Sequence, residues 1–453
     1  MVKLANMLRC LNPTKILVIG DMMLDSYTFG KARRISPEAP VAVVHVQAEE
    51  RHPGGSGNVI LNLLSLGAHV IAVGRVGADW AGELLFNALK KEGVDVRMVV
   101  TQKGYCTPLK SRIIADNQQI VRVDHEELAP LSQALEQHMI DRLDDLMNGI
   151  QVVAISDYGK GGVTPTLIAA IIQRAKRLGI PVVTDPKGHD FRKYSGTTVI
   201  KPNLSEAYAA AKLPVTASLQ DVAAILLLES QAELLMVTRS EAGISLFHRD
   251  GTRFDFPVHV REVKDVTGAG DTVLAMLAHA MANHMSYDEA AHLCNVAAGI
   301  AIEHIGCARV SLSDLALRLF QDNINNKIFD QDHVFVLEEI LKKTSYSVLV
   351  LAHFDALSSM LFQSIKKIVV EEGKHLLVYL NESESSQTCR EILSSLQEVS
   401  YIVTHFASLN ALCESVPPHS VYLFHIEEDR LEKIETKSHS HWYQQVKALI
   451  KCK

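Results

Sequence analysis

An alternation of strand-like and helix-like segments, maintained to about residue 320, constrains the fold of this chain more than any other feature. Short apolar runs such as Lys15–Ile19 and Leu234–Val237 alternate with stretches of helical spacing such as Pro165–Leu178. Strands that alternate with helices along a chain form a mostly parallel sheet covered by helices. The sequence therefore predicts an α/β fold in which Lys15–Ile19 is a first, central strand.

Two segments interrupt this alternation. Val41–Val46 and Thr107–Val123 are rich in β-branched residues, and neither has a helix between its strands. We expect them to form a small antiparallel sheet that projects from the main one. Such a flap is suited to covering a site or to pairing with a second subunit.

The chain has 453 residues, which is too many for one ordinary core. Residues 1–322 are predicted to be one domain, and the polar stretch 323–331, which lacks periodicity, a linker. The strand–helix alternation restarts beyond it, so residues 332–453 are predicted to be a second, smaller α/β domain.

Charge and cysteine usage exclude several classes of protein. With 45 basic and 52 acidic residues the net charge is −7, which argues against a nucleic-acid or membrane surface. No apolar run approaches the roughly 20 residues of a spanning helix, and residues 1–15 do not resemble a secretory signal. The 7 cysteines are scattered and never in CxxC spacing, as expected of reduced thiols in a cytoplasmic protein.

The most informative motif is Asp265-Val-Thr-Gly-Ala-Gly-Asp-Thr272, which is followed directly by an apolar helix. Gly268, Ala269 and Gly270 allow a tight turn whose backbone N–H groups, at the start of a helix, form an anion hole for a phosphoryl group. Asp271 at the same turn is placed to deprotonate an attacking hydroxyl. The alternative is a glycine-rich loop that only caps a helix. Neither GxxxxGK[ST] nor a GxGxxG after a strand is present, so phosphate binding needs this different device.

This motif resembles the signature of the ribokinase (PfkB) family of sugar kinases, and other segments resemble family elements in the expected order. They are Gly20–Asp25, Pro53–Asn58, Lys201–Glu206 and Thr238–Gly243. The resemblance implies a ribokinase-like fold, with a mostly parallel sheet, flanking helices and a small β flap. It also implies ATP as co-substrate and Mg²⁺ as cofactor.

One subgroup of the family, the D-glycero-D-manno-heptose-7-phosphate kinases, is similar in longer segments. These are Arg34–Val41, Asn117–Gln119, Ser156–Lys160, Asp185–Gly188 and Val237–Glu241. The resemblance implies phosphorylation of the anomeric hydroxyl to give heptose 1,7-bisphosphate, in the synthesis of ADP-heptose and of the lipopolysaccharide core. It also implies a homodimer formed through the flap strands. Two alternatives stay open: a kinase of the same fold for another sugar or sugar phosphate, and a non-catalytic sensor of sugar phosphate or nucleotide.

The resemblance assigns the sugar to Asp21 and Asp25, whose carboxylates would bind hydroxyl groups. Three further residues would complete the sugar-binding surface: Gly54, Gly55 and Asn58. A substrate with its own phosphate needs cations, and Arg34 and Arg112 are preferred because a guanidinium binds phosphate through two hydrogen bonds. The other candidates are Arg51, Lys110, Lys160 and Lys187.

The nucleotide is assigned to a second set of residues, namely Asn203, Leu204, Ser205, Glu206, Thr238, Arg239, Gly243 and Asn295. Glu206 would act on Mg²⁺ through water. Asn295 would border the adenine pocket, with an ordinary helix position as the alternative. Outside these sets, Trp80 is predicted to be core, and His439 and His441 to belong to a solvated tail.

The second domain resembles the nucleotidyltransferase half of a bifunctional enzyme, but its catalytic motif is altered. The two histidines of the HxGH motif are replaced by Ser358 and Leu361, and the glycine by Met360. Leucine offers neither a charge nor a donor to a phosphate. His353 and His405 lack the required spacing. We therefore expect a Rossmann-like domain that has lost catalysis and has a stabilising or oligomerising role.

Overall fold

The computed structural model describes residues 11–434 except for 117, 259–262, 305, 322–326, 330–333, 352–357, 381–386 and 426–427. Contacts divide the chain into two compact units, Leu11–Ser311 and the part that begins at Leu312. The helix Leu312–Gln321, which the sequence assigned to the first domain, thus groups with the second unit. Ile328–Phe329, inside the predicted linker, form a short strand because their backbone pairs with another strand of that unit.

The first unit contains two sheets. Its strands, in chain order, are β1 (Lys15–Gly20), β2 (Met22–Ile35), β3 (Ala42–Gly55), β4 (His69–Gly77), β5 (Asp95–Gln102), β6 (Leu109–Ala115), β7 (Gln118–His125), β8 (Val152–Ser156), β9 (Val182–Asp185), β10 (Val199–Ile200), β11 (Leu234–Thr238), β12 (Ile244–His248) and β13 (Arg253–Phe256). The larger sheet has the order β13-β12-β11-β10-β9-β8-β1-β4-β5. Its strands are parallel from β11 to β5, and β12 and β13 are antiparallel to their neighbours.

Helices cover this sheet. They are α1 (Ser56–Ser65), α2 (Trp80–Lys91), α3 (Gln133–Leu146), α4 (Pro165–Leu178), α5 (Leu204–Ala211), α6 (Leu219–Ser230), α7 (Ala269–Ala282) and α8 (Tyr287–Ala301), with 3₁₀ turns at Phe191–Tyr194 and Ser240–Ala242. α4 has the expected signals: Thr164 caps its first turn, proline is its first residue and Gly179 ends it in the left-handed region. The predicted α/β architecture, with Lys15–Ile19 as a central strand, is confirmed.

The order of the strands indicates the edge of the sheet at which ligands bind. Strand β1 lies between β8 and β4, and the chain builds outward from it in both directions. Ligands of open parallel sheets bind at the carboxyl ends of the strands near such a switch point. Asp21 follows β1, Asp157 follows β8 and Asp185 ends β9, so three carboxylates meet at this edge.

The flap is a four-stranded sheet with the order β3-β2-β6-β7. The prediction that it is antiparallel was wrong for the central pair, because β2 pairs with β6 in parallel. The outer half of β2, Gly30–Ile35, is mostly exposed, so its sequence has no apolar periodicity from which the strand could be predicted. Trp80 was also wrongly predicted: 55% of it is exposed, and the guanidinium of Arg51 lies 5.6 Å from the ring centre.

The second unit has a six-stranded sheet. Its strands are β14 (Ile328–Phe329), β15 (Tyr346–Leu351), β16 (His375–Leu380), β17 (Tyr401–Val403), β18 (Ser420–His425) and β19 (Arg430–Ile434), and its helices are α9 (Leu312–Gln321), α10 (Val334–Leu341), α11 (Ser359–Glu372), α12 (Gln387–Ser395) and α13 (Phe406–Ser415). The order is β14-β17-β16-β15-β18-β19, with only β19 antiparallel among these strands. This is a doubly wound arrangement.

The altered motif of the second unit lies at the start of α11. Ser358 caps the helix by accepting the N–H of Leu361 at 3.0 Å, and the Leu361 side chain is buried. His353, His439 and His441 lie outside the described residues. Within the described part of the chain, every helix is too short or too polar to cross a bilayer.

Candidate active site

Asp271 lies in the first turn of α7 with 4% of its surface exposed. Asn58 Nδ2 donates to its Oδ2 at 2.9 Å, and the hydroxyl of Tyr158 donates to its Oδ1. Gly268 precedes the helix with φ of +78°, and a Cβ there would lie 2.6 Å from Asn58 Nδ2. Glycine at 268 therefore allows the amide to approach the carboxylate.

Burial raises the pKa of Asp271 to about 7, although the hydrogen bonds from Tyr158 and Asn58 oppose the rise. Burial and the nearby charge of Asp271 raise the pKa of Tyr158, so its hydroxyl stays a donor. A carboxylate that titrates near neutral pH is matched to the work of a general base.

A cavity of about 540 Å³ lies beside this turn and is lined by Gly270 and Tyr158. One end is polar, with Asp185, Lys187, Lys201, Asn203 and Glu206. The other end is apolar, with Ile244, Val258, Val263, Val266, Val273 and Ile302. A cavity with a charged end at a helix N-terminus and an apolar end suits a nucleotide, with its phosphates at the first end and its base at the second.

Lys201 is the cation nearest to the proposed anion hole. It is 2% exposed, and its Nζ lies 3.0 Å from Asp185 Oδ2. A Cβ at Gly270 would lie 3.8 Å from the same Nζ. The ammonium group thus adds positive charge beside the N–H groups that begin α7.

Neither Lys201 nor Tyr158 received a role from sequence reasoning, although both stood in motifs that resemble the family. The signal for Lys201 was its place directly after the buried strand β10, where a charged residue needs a partner or a ligand. The local sequence gave no signal for Tyr158, because its partner lies 113 residues away.

Asp21 is 3% exposed and accepts three backbone N–H groups of one loop. The donors are Tyr158 at 3.0 Å, Lys160 at 2.9 Å and Gly162 at 3.0 Å. Its carboxylate therefore fixes the loop that carries Tyr158. That it also binds a sugar hydroxyl stays a prediction.

Asp25 is buried and accepts a hydrogen bond from Arg112 NH1 at 2.6 Å. A Cβ at Gly54 would lie 1.9 Å from Asp25 Oδ2, so glycine is required there, and Gly55 follows with φ of +56°. The structure brings these residues together at the base of the flap, next to α1 and Asn58.

The other basic candidates do not form one group. Arg34 is exposed near the outer end of β2, and Arg51 pairs with Glu49 at 2.7 Å. Lys110 and Lys160 share Glu126, at 3.5 and 2.7 Å. Lys187 lies in the cavity with its Nζ 2.7 Å from Glu206 Oε1, and so groups with the nucleotide candidates.

Asn203 and Glu206 form a capping box on α5. The Asn203 side chain accepts the N–H of Glu206 at 2.9 Å, and Glu206 accepts the N–H of Asn203 at 3.1 Å. Both line the cavity, whereas Leu204 and Ser205 are exposed on the first turn of α5.

Among the remaining nucleotide candidates, Thr238, Gly243 and Asn295 line the cavity. Asn295 Nδ2 donates to the carbonyl of Phe256 at 2.6 Å. The Arg239 side chain is instead held by the carbonyl of Ala242 at 3.0 Å and by Asp255 at 3.3 Å.

The donor set at the polar end of the cavity fits Mg²⁺. Among the described residues no group of three His, Cys, Asp or Glu side chains is placed to hold a metal ion. Mg²⁺ is usually held by one or two carboxylates together with water and substrate phosphates. Asp185 and Glu206, both lining the polar end, would be such carboxylates.

The chain matches the pfkB family of carbohydrate kinases over residues 13–314. The bifunctional protein HldE of Trichlorobacter lovleyi is 44% identical over 331 residues, 72% of this chain and 67% of that protein. The HldE protein of Wolinella succinogenes is 38% identical over 412 residues, 87% of this chain and 86% of that protein. For the other relatives compared, the match spans between 61% and 68% of the relative's own length.

Solved structures show the same fold. Phosphofructokinase-2 from Escherichia coli, in complex with potassium, superposes with a TM-score of 0.57 at 18% identity. The match covers 69% of this chain and all of that one. The predicted ribokinase-like fold is thereby confirmed.

Proposed function

The chain belongs to the pfkB family of carbohydrate kinases, and from this we propose that it transfers the γ-phosphoryl group of ATP to the anomeric hydroxyl of D-glycero-D-manno-heptose 7-phosphate. That it is a sugar kinase follows from the family. The heptose substrate rests on the segments Arg34–Val41 and Ser156–Lys160 and on relatives named HldE. The product, heptose 1,7-bisphosphate, would enter ADP-heptose synthesis in the cytoplasm.

The observation that carries the proposal is the buried carboxylate of Asp271 at the start of α7. With its oxygens held by Asn58 and Tyr158, it accepts the proton of the anomeric hydroxyl as that oxygen attacks the γ-phosphorus. The N–H groups of Ala269 and Gly270 and the ammonium of Lys201 stabilise the charge of the transferring group.

The remaining groups position the two substrates. Asp25 and Asn58 hold the sugar beside Asp271. The polar end of the cavity holds the triphosphate, and its apolar end the base. Mg²⁺, held by Asp185 and Glu206 with water, would supply positive charge to the phosphate oxygens.

The test is ADP release with heptose 7-phosphate and a panel of hexose phosphates. Asp271→Asn is expected to lower kcat by about 10²–10⁴ because the base is lost. The control is Asp145→Asn, whose side chain is 75% exposed on α3. Turnover of fructose phosphate without turnover of heptose 7-phosphate would favour a kinase for another sugar phosphate. Binding of sugar phosphate without turnover would favour a non-catalytic sensor.

For the second unit we propose a role without catalysis. The buried Leu361 at the start of α11 gives a phosphate no charge and no side-chain donor, which supports this reading. Nucleotidyl transfer from ATP to heptose 1-phosphate is the assay, and pyrophosphate release would overturn the proposal.

A further inference from the structure

One face of the flap carries charged side chains next to the sugar candidates. Lys110 lies opposite Asp124 across β6 and β7, and beside Asp25 across β6 and β2. Because alternate residues of a strand point to one face, Arg112 shares that face. The guanidinium of Arg112 is committed to Asp25 at 2.6 Å, which leaves the ammonium of Lys110 as the neighbouring cation.

A second ammonium group reaches the same place from a loop. Lys160 Nζ lies 2.7 Å from Glu126 Oε1, and Lys110 Nζ lies 3.5 Å from Glu126 Oε2 and 3.3 Å from Asp124. The Lys110 and Lys160 side chains are only 16% and 13% exposed. The backbone N–H of Lys160 donates to the carboxylate of Asp21, which is itself a candidate for binding the sugar. Lys160 is thus held directly by a residue of the sugar set.

The carboxylate of Glu126 bridges these two cations. Although burial acts to raise its pKa, the hydrogen bond from Lys160 and the charges of Lys110 and Lys160 lower it, so Glu126 is ionised. Glu126 directly follows the last residue of β7 and belongs to no helix or strand. Its side chain can leave the two ammonium groups without breaking a strand ladder.

We propose that Lys110 and Lys160 bind the phosphate that the sugar substrate already carries, with that phosphate replacing Glu126 as the counter-ion the two lysines share; this rests on the proposed function. Asp124 stays paired with Arg122 and Lys110. A phosphate dianion carries about twice the charge of a carboxylate and three acceptor oxygens, so it competes for both ammonium groups. This phosphate site, formed by Lys110 and Lys160, lies at the flap on the Asp21 side, and neither lysine lines the nucleotide cavity that contains Lys201. Sugars without a phosphate leave it unfilled.

The test measures KM for heptose 7-phosphate and KM for ATP in Lys110→Met, Lys160→Met and Glu126→Gln. Each lysine variant is expected to raise KM for the sugar phosphate about ten- to hundred-fold, with KM for ATP unchanged. Glu126→Gln is expected to lower KM for the sugar phosphate several-fold, because the competing counter-ion is lost. A purely structural salt bridge predicts the same sign for all three variants, which would overturn the proposal.

The control is Lys176→Met, an exposed lysine on α4. Lys160→Arg keeps the positive charge and is expected to bind the sugar phosphate more tightly than Lys160→Met. It replaces Lys160→Met in the test if that variant folds poorly. Turnover with an unchanged KM for the sugar phosphate in both lysine variants would contradict the proposed phosphate site but not the proposed kinase function.

A calorimetric titration with mannose 6-phosphate, fructose 6-phosphate and their free sugars separates the two proposals. If heptose 7-phosphate is not turned over but a hexose phosphate binds through Lys110 and Lys160, the phosphate site is supported and the proposed heptose substrate is contradicted. If the wild type binds no sugar phosphate at all, both fall.

Discussion

The carboxyl group of Asp271 must be ionised before it can accept a proton from a sugar hydroxyl. Because its pKa is about 7, we expect kcat/KM for the sugar to rise about ten-fold per pH unit below pH 7 and to level off above it. Rates between pH 5.5 and 9 at saturating ATP measure this. A profile that is flat through neutral pH would contradict the assignment of Asp271 as the base.

Tyr158 sets where that profile turns. Its hydroxyl donates to Asp271 and favours the ionised form, so Tyr158→Phe should move the rising limb to higher pH. Tyr194→Phe is the matched control, since the Tyr194 hydroxyl donates to Asp157 at 2.6 Å and not to Asp271. Equal displacement of both profiles would assign the change to lost packing.

The same carboxylate affects stability. The pKa of Asp271 is about 7 in the folded chain against 3.8 for an unperturbed group, so the folded state binds the proton more tightly and loses stability as pH rises from 4 to 7. Asp271→Asn removes this loss. We expect the variant to gain up to a few kcal/mol over the wild type at pH 8 and less at pH 5. Urea unfolding at both values measures it, and an equal gain at both would contradict the linkage.

At this scale the sequence predicted single residues better than pairs. The place of Asp271 at the start of a helix could be predicted because the signal is local, with two glycines directly before it at 268 and 270. Its partners Asn58 and Tyr158 lie 213 and 113 residues away, and only the folded sheet brings them together. The assignments of Arg34 and Arg239 followed the resemblance of Arg34–Val41 and Thr238–Gly243 to family segments, and the structure holds the first on the exposed flap and the second against Asp255.

The start of α7 depends on a glycine for two separate reasons. In Gly268→Ala the new Cβ would strain a φ of +78° and would also displace the amide of Asn58. Gly67→Ala adds strain at φ of +86°, but nothing lies within 4 Å of its Cβ. We expect both variants to lose roughly 1 kcal/mol of stability and only Gly268→Ala to lose activity, by ten-fold or more. Equal activities would mean that Asn58 is dispensable.

Elements with their own local signals were predicted closely. The bounds of α4 agree with the predicted Pro165–Leu178 because caps and apolar spacing mark both ends of this helix. Strand β7 is exposed along its whole length, so burial gave no signal for it, and the β-branched composition of Thr107–Val123 was the signal that remained. The short helix α5 was missed because its first turn had been interpreted only as a ligand motif.

For the whole molecule we propose a homodimer through the flap. Val121 and Val123 on β7 are 43% and 52% exposed, and Ile35 at the end of β2 is 72% exposed. Strand β7 is at the edge of the flap, and exposed apolar residues on an edge strand favour pairing with a second copy. Val121→Glu with Val123→Glu should therefore reduce the mass measured by light scattering from twice the chain mass to once. A wild type that is already monomeric would contradict the proposal.

The division of the chain was harder to predict than its fold class. A second strand–helix series could be recognised from the restart of alternation beyond residue 332. Its start could not, because α9 has a strong apolar face that fits either unit and only its contacts assign it to the second. Polarity alone suggested a linker where Ile328 and Phe329 join a sheet.

Strand β2 has the buried Asp25 near its beginning and the exposed Ile35 as its last residue. β3 pairs with β2 from Met22 to Ile35, whereas β6 pairs with it only from Leu24 to Gly30, so the ladder with β3 is what joins the two ends. In the proposed dimer, a copy that docks on the outer end of β2 would restrain this ladder and, through it, the carboxylate at its inner end. If the dimer forms, sugar affinity should therefore weaken on dilution, when the two chains of the dimer separate.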